Sequence, residues 1–469
     1  MKSIHFFLTP IGATSAISLG HKQNNHRHKP SLHPQKRDVC SGNSASDRQT
    51  WCNYSLSTNY YDVVPDTGVT KEYYFDIQEV TVAPDGYSRT AMAVNGSIPG
   101  PTIQADWGDN VVVHVTNSLA SAKNGSSVHF HGIRQNYTNP NDGVMSITQC
   151  PTAPGKSTTY KWRATQYGST WYHSHIGLQA WEGVFGCIVI NGPASENYDE
   201  GMGQRYDIVV NADQSTTNES FWLRAIPQSA CSDNDSTDNI KGIIYYGSTP
   251  TTPTTTGYTY TDSCDDMDTS DLVPYLSQSA SVPYYNSSEP ITLGSNFESL
   301  FRWKMNGTSM QVYWDNPSLL QIWKNDTAFT NTSGVVELTR ANEWSYVVIE
   351  TSLTVPHPIH LHGHDFFVLA QGMGSYSSSD ISTLTNLPCR DTAMLPSSGY
   401  LVVAFKTDNP GAWLMHCHIG WHTEEGFAIQ FLERWKEARE LIDYETLHST
   451  CQEWDAYTES SVEQEDDGI

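Results

Sequence analysis

Four short segments of this chain place histidine at every second position: His129-Phe130-His131, His173-Ser174-His175, His360-Leu361-His362 and His416-Cys417-His418. Along a β-strand successive side chains point to opposite faces, so residues i and i+2 share one side. Extended, each segment aims two imidazoles at one place. In a helix the same pair would diverge by about 200°. The pattern therefore asks for strands, and for four of them to converge. Together they supply eight imidazoles. That is too many for one ion and suits a cluster of about three metals, each with two or three nitrogen ligands. Isolated histidines such as His5, His114 and His448 are read as ordinary polar residues.

The last segment adds a thiol. Cys417 lies between His416 and His418, so on a strand it faces away from the cluster. His422 follows five residues later, and parity turns His357, three residues before His360, to that same far side. Two imidazoles and one thiolate make a trigonal blue-copper electron-transfer site, which points to copper for the cluster as well. The covalent path from Cys417 to its neighbours would join the two sites within a few bonds. One copper taking single electrons and three holding O2 store four electrons, the number that reduces O2 to two waters. A plain electron carrier would not need the other eight histidines.

The rest of the chain reads as short strands. Val111 to Val115 and Phe185 to Ile190 are rich in β-branched residues. Breaks recur at Asn95-Gly96, Pro99-Gly100-Pro101 and Pro154-Gly155. Similar strands return between Leu300 and Phe431, whereas Ser215 to Ser288, rich in Ser, Thr, Pro and Asp, reads as loop. One helix is expected, from Trp435 to Leu447. The expected fold class is all-β, in sandwich-like units. A formal charge of −25, from 26 basic and 51 acidic side chains, opposes nucleic-acid binding. No run of about 18 apolar residues is present, so no membrane span is expected.

Residues 1–20, with Lys2 and then a mostly apolar stretch, read as a secretory signal peptide. Residues 21–37 end in Lys36-Arg37 and read as a basic pro-segment, or alternatively as a metal-binding histidine tract. Nine cysteines and about ten Asn-X-Ser/Thr sequons, among them those at Asn53, Asn136, Asn286 and Asn325, predict a secreted, extracellular, disulfide-bonded glycoprotein. An odd cysteine count leaves at least one unpaired, expected to be Cys417. The acidic stretch from Gln452 reads as a solvated terminus.

In order, the segments read His-X-His, His-X-His, His-Pro-X-His-X-His and His-Cys-His-X-X-X-His, which resembles the four copper-binding motifs of the multicopper oxidases. Flanking stretches such as Asn95-Gly96-Ser97-Ile98-Pro99-Gly100-Pro101 and Asp408-Asn409-Pro410-Gly411-Ala412-Trp413 are similar to ascomycete-type fungal laccases. The likeness runs, with gaps, from about Cys40 to Ile469. It implies cupredoxin-like Greek-key β-sandwich domains and four copper ions. On this pattern His129 and His360 would hold the type 2 copper. His131, His173 and His418 would hold one type 3 copper, and His175, His362 and His416 the other. His357, Cys417 and His422 would form the type 1 site, with Phe427 at its non-coordinating axial position. His364 is not a ligand. Asp142, before Gly143, resembles the acid that assists proton delivery beside the cluster; its plain reading is a turn residue. The resemblance also implies disulfides Cys40–Cys52, Cys150–Cys451 and Cys231–Cys264, leaving Cys187 and Cys389 free or paired with each other. Asp466-Asp467-Gly468-Ile469 is similar to a family tail that plugs a solvent channel, or is a plain acidic end.

One departure stands out. The family divides its chain about equally among three domains. Here Asn191 to Asp199 looks like the entry to the second, and Gly203 to Val210 already looks like its late strands. The expected layout is a first domain at 38–192, a truncated second domain with linker at 193–290, a third domain at 291–455 and an acidic tail at 456–469. The lost stretch would include the acid that hydrogen-bonds phenols beside the type 1 copper, and no position inherits that role from the resemblance. The expected function is one-electron oxidation of phenols or aromatic amines coupled to four-electron reduction of O2, by a secreted monomer. The alternatives are a multicopper oxidase acting on a pigment precursor or Fe(II), and an inactive copper-binding remnant.

Overall fold

The structure is a computed structural model that describes residues 47–83, 86–119, 125–193 and 301–461, strands at 2–3 and 42–44, and shorter stretches between 211 and 297. The signal and pro-segment readings, Cys40, Cys231, Cys264 and the last eight residues lie outside the described residues, apart from the strand at 2–3.

Residues 70–191 form a two-sheet sandwich. Its strands are β1 (Thr70–Val82), β2 (Arg89–Val94), β3 (Gly100–Asp106), β4 (Asn110–Asn117), β5 (His129–His131), β6 (Ser157–Arg163), β7 (Gly168–His173) and β8 (Phe185–Asn191). One sheet runs β6-β4-β1-β2 and the other β3-β8-β7-β5. β4 has the period-2 pattern of a half-buried strand: Val111, Val113 and Val115 are buried, while Val112 and His114 between them are partly exposed. The core between the sheets is filled by Ile77, Ile103, Val113, Phe130 and Tyr172. β5 lies at the edge of its sheet, paired on β7 so that Trp171 opposes His131 and His173 opposes His129. That register brings two histidine segments side by side.

The middle of the chain holds an antiparallel hairpin of β9 (Ser220–Arg224) and β10 (Lys241–Tyr245), on which Leu223, Ile243 and Tyr245 are exposed. A second sandwich follows. β11 (Pro283–Asn286), β12 (Ile291–Phe297) and β13 (Phe301–Met305) lead into β14 (Val335–Leu338), β15 (Trp344–Glu350), β16 (His357–Leu361), β17 (Phe366–Met373), β18 (Cys389–Arg390), β19 (Thr392–Leu395), β20 (Gly399–Lys406), β21 (Gly411–Cys417) and β22 (Ala428–Glu433). One sheet runs β13-β12-β15-β20-β17-β18, with β11 also on β15. The other runs β14-β22-β21-β16-β19. β21 sits in its interior and is buried at all seven positions, as a strand covered on both faces should be. It pairs antiparallel with β16, so that His416 opposes His360 and Cys417 opposes Ile359.

The two sandwiches meet beside this pair of strands. Asn139 Nδ2 donates to the Ala412 carbonyl at 2.9 Å and the Ala412 amide donates back to Asn139 Oδ1 at 3.0 Å. Gly411 permits the approach, since a Cβ there would lie 2.6 Å from Asn139 Cγ. Arg134 adds a 3.0 Å ion pair to Asp408.

The helical expectation needs correction. Ser318–Trp323 forms a helix, α1, that the sequence reading left out. The expected helix from Trp435 to Leu447 is two: α2 (Trp435–Glu440) and α3 (Tyr444–Ser461). The break has a local cause. The Asp443 carboxylate accepts from the Thr446 hydroxyl at 2.8 Å, and its carbonyl accepts from the Leu447 amide at 3.0 Å, opening a new helix there. α3 also takes in Glu453, Asp455 and Glu459, read above as solvated terminus. Leu447, Cys451 and Trp454, at i, i+4 and i+7, bury one stripe of it.

The Cys150–Cys451 disulfide is present and ties α3 to the first sandwich. Cys52 is disulfide-bonded. Cys187 is an exposed thiol and the Cys389 sulfur lies 3.1 Å from the Tyr61 hydroxyl, so these two are not paired with each other. Cys417 is a buried free thiol, as expected. Replacing Cys150 and Cys451 together by alanine should cost about 3–5 kcal/mol, because the crosslink spans 301 residues. A lowered thermal midpoint would show this; an unchanged one would mean that the apolar stripe alone holds α3.

Candidate metal centre

All eight imidazoles of the paired segments come together. Only His129 and His131 both lie within one strand; His173, His360 and His416 lie on β7, β16 and β21, and their partners His175, His362 and His418 fall just beyond the strand ends. Alternation therefore aims both rings of the β5 pair, whereas in the other three pairs the turn after the strand places the second ring. The ring centroids of His131 and His360 are 3.9 Å apart, and those of His129 and His362 are 4.0 Å apart. Both contacts cross from one sandwich to the other.

Hydrogen bonds decide which nitrogen each ring offers. A carbonyl oxygen only accepts, so a ring nitrogen bonded to one carries the proton. Nδ1 of His129 meets the Asp142 carbonyl at 2.8 Å, Nδ1 of His173 that of Ser174 at 2.9 Å, Nδ1 of His360 that of Asp391 at 2.8 Å and Nδ1 of His416 that of Cys417 at 2.9 Å. In each neutral ring Nε2 is left as a bare lone pair. The Nε2 atoms of His129 and His360 are buried with no hydrogen-bond partner. Nδ1 of His362 donates to the Asp142 carboxylate at 2.9 Å, so its Nε2 is bare too, yet it faces Nε2 of His416 at 3.1 Å. Two lone pairs at that distance repel unless a cation lies between them. Two nitrogens about 2.0 Å from one ion sit that far apart at a bond angle near 100°. His131 is turned the other way: its Nδ1 faces Nε2 of His418 at 3.1 Å and Nε2 of His173 at 3.4 Å. The residues fit a shared group of cations.

The thiol site lies on the far side of β21. Cys417 Sγ is 3.7 Å from His357 Nδ1 and 3.5 Å from His422 Nδ1, and the two nitrogens are 3.2 Å apart. A point equidistant from all three lies about 2.0 Å from each, a metal–ligand distance. Phe427 is buried with its ring 5.1 Å from that of His357, and Trp303 lies 4.2 Å from His422. Both wall the site with carbon. His364 lies outside the cluster: Nε2 meets Glu433 at 2.9 Å and Nδ1 the His362 carbonyl at 3.2 Å.

Asp142 is fully buried, with Oδ1 3.2 Å from His129 Nδ1 and Oδ2 2.9 Å from His362 Nδ1. It is also the turn residue of the plain reading. Gly143 after it has φ +76°, and a Cβ there would strike the Val128 carbonyl. The sequence reading missed Asp391, whose carboxylate accepts from Thr392 at 2.9 Å and lies 3.7 Å from His131 Nε2. It also missed Trp303. Neither carries a spacing signal, because each meets the site through tertiary packing.

Comparison with known proteins bears on this geometry. The multicopper oxidase family matches residues 76–195 and again 302–437. Laccase-2 of Botryotinia fuckeliana is 37% identical over 93% of this chain and 95% of its own length. The chain belongs to the multicopper oxidase family. Laccase of Neurospora crassa is 32% identical over 88% of this chain and 87% of its own. The solved laccase of Botrytis aclada matches with a TM-score of 0.79 and 34% identity, over 90% of this chain and 98% of that one. The alignment with Laccase-2 is 557 positions long, whereas 93% of 469 residues is about 436, so about 120 aligned positions have no residue here.

This multicopper oxidase is thus a copper-dependent, laccase-like oxidoreductase with cupredoxin-like sandwiches. No helix among the described residues is long and apolar enough to cross a membrane. Its site is tuned for cations. Burial, reinforced by neighbouring imidazoles, holds His173, His360, His362 and His416 well below the ordinary histidine range and lowers His175 and His357 to about 3. Burial alone lowers His422 to about 4. All seven are neutral near pH 7. Burial pushes the Cys417 thiol up instead, so any metal held by its sulfur would have to expel its proton.

The linkage follows from these directions. The seven folded imidazoles bind protons more weakly than unfolded ones, so unfolding takes up protons below the unfolded value of about 6.5. Stability of the metal-free protein should be full above pH 6.5 and fall as pH drops toward 4, by up to about 1.4 kcal/mol per pH unit for each ring. Denaturation midpoints across that range would show it, and a flat profile would contradict it.

Proposed function

We propose that this chain is a secreted, monomeric laccase that oxidises phenols or aromatic amines one electron at a time and reduces O2 to water. The observation that carries the reading is Cys417: one thiol in a metal-sized triangle with His357 and His422, flanked in sequence by His416 and His418 of the eight-imidazole cluster. We assign His357, Cys417 and His422 to one type 1 copper, with Phe427 non-coordinating. His129 and His360, with their bare Nε2 atoms, take the type 2 copper. His131, His173 and His418 take one type 3 copper, and His175, His362 and His416 the other. Bound there, four copper ions would supply single-electron uptake at one end and four-electron delivery to O2 at the other.

The protein's own groups do the rest. The Cys417 backbone joins the two sites directly. Phe427 and Trp303 keep water and competing ligands from the sulfur. Asp142 fixes His129 and His362 and, as a buried carboxylate between them, holds a proton at Oδ1, the oxygen with no hydrogen-bond partner, for delivery to the cluster. The length difference from Laccase-2 supports a shortened second domain within 193–290, between an intact first domain at 38–192 and third domain at 291–455. Every assigned ligand lies in the outer two, so the shortening spares them.

Copper-loaded protein should show an intense blue thiolate-to-copper band and consume O2 with a phenol; no colour would favour an inactive remnant. Cys417→Ser should abolish the band and phenol oxidation yet leave copper on the cluster, as metal analysis would show; loss of all copper would contradict two separate sites. Asp142→Asn should keep the band and slow O2 consumption by about 10²-fold or more, the scale of a positioned proton donor. Unchanged turnover would return Asp142 to its turn role.

A further inference from the structure

We propose that Glu425 is the base that takes the proton from a phenol as it is oxidised. This rests on the laccase reading and names the group that handles the donor. Of the three residues of the thiol site, His357 and Cys417 are fully buried and only His422 reaches the surface. A donor in solution therefore delivers its electron at His422. Phenol that has lost one electron is a strong acid, and the reaction runs forward when its proton has somewhere to go. An acceptor belongs at the rim of His422.

Glu425 is held there. Trp303 packs on the His422 ring, centroid to centroid 4.2 Å, and its indole N–H donates to Glu425 Oε2 at 2.9 Å. The Trp303 backbone N–H donates to the Glu425 carbonyl at 2.9 Å, and Ser309 Oγ donates to the same carbonyl at 3.3 Å. Main chain and side chain are both fixed, one indole away from the exposed ligand, and the residue remains partly exposed. The indole N–H occupies one of the roughly four lone-pair positions of a carboxylate. Glu425 lies three residues after His422, just past the last copper motif and far from 193–290, so the shortened middle of the chain does not remove it. In the step, one electron leaves the phenol through His422 for the type 1 copper that this residue would hold. The O–H bond breaks, its electron pair stays on oxygen, the proton goes to Glu425 and a phenoxyl radical departs.

Anchoring Trp303 needs only an acceptor oxygen, which glutamine supplies, whereas taking a proton needs the carboxylate. Glu425→Gln separates the two. With the copper-loaded full chain, kcat/KM for 2,6-dimethoxyphenol should fall on the order of 10²-fold, while that for hexacyanoferrate(II), which has no proton to lose, should stay within about twofold. The blue band and the reduction potential of the site should not move. Glu424→Gln, one residue away, should leave both donors as they are. Equal losses for the two donors, no loss for the phenol, or the same selective loss in Glu424→Gln would each overturn the proposal. A wild-type protein that is not blue and oxidises neither donor would defeat the laccase reading itself, and the proposal with it.

Discussion

Two imidazole nitrogens without a hydrogen between them face each other at 3.1 Å, Nε2 of His362 and Nε2 of His416. Asp142 pins the proton of one ring on its far nitrogen, and the Cys417 carbonyl pins that of the other. Neither ring can rotate its tautomer to relieve the repulsion without breaking a buried hydrogen bond, at about 1–3 kcal/mol for the group left unsatisfied. A shared cation removes the conflict. A buried cluster of neutral imidazoles would be poor protein packing, and it becomes coherent once the rings are ligands.

The eight clustered imidazoles are divided between the sandwiches. His129, His131, His173 and His175 come from the first, and His360, His362, His416 and His418 from the last. The cluster therefore sits where the two sandwiches meet. Its protein framework is the amide pair between Asn139 and Ala412, the space left by Gly411, and the Cys150–Cys451 crosslink behind it. Metal bound across this boundary would stabilise the paired sandwiches by mass action, since the unfolded chain holds no such arrangement.

Cys417 shows how one residue's sidedness organises two sites. β21 is buried on both faces, so its odd and even positions look into two different dry compartments. His416 looks toward the cluster and Cys417 toward His357, His422, Phe427 and Trp303. Burial makes both compartments hostile to charge. His173, His175, His357, His360, His362, His416 and His422 stay neutral and the Cys417 thiol stays protonated until a cation compensates. Among the three polar residues of the thiol compartment, only His422 is partly exposed.

Much of this was legible in the chain. Period-2 histidines required strands, converging pairs and a cluster, and the cysteine between two of them required a second site on the opposite face. Strand alternation is local and obligatory, so residue spacing alone carries it. The valine run of β4 and the pairing partners Cys150 and Cys451 were legible for similar reasons of pattern or resemblance. The split between α2 and α3 was not, because Asp443 competes as a cap only when Leu447, Cys451 and Trp454 have a core to enter. Which ring nitrogen is bare, that Asp391 lies beside His131 and His360, and that Trp303 from β13 lies on His422 were also invisible. Those facts depend on carbonyls, side chains and strands brought together from distant parts of the sequence. The chain by itself determined which side chains point the same way; only the packing of two sandwiches decided which atoms meet, because distance between elements is set by the core and not by spacing along the backbone.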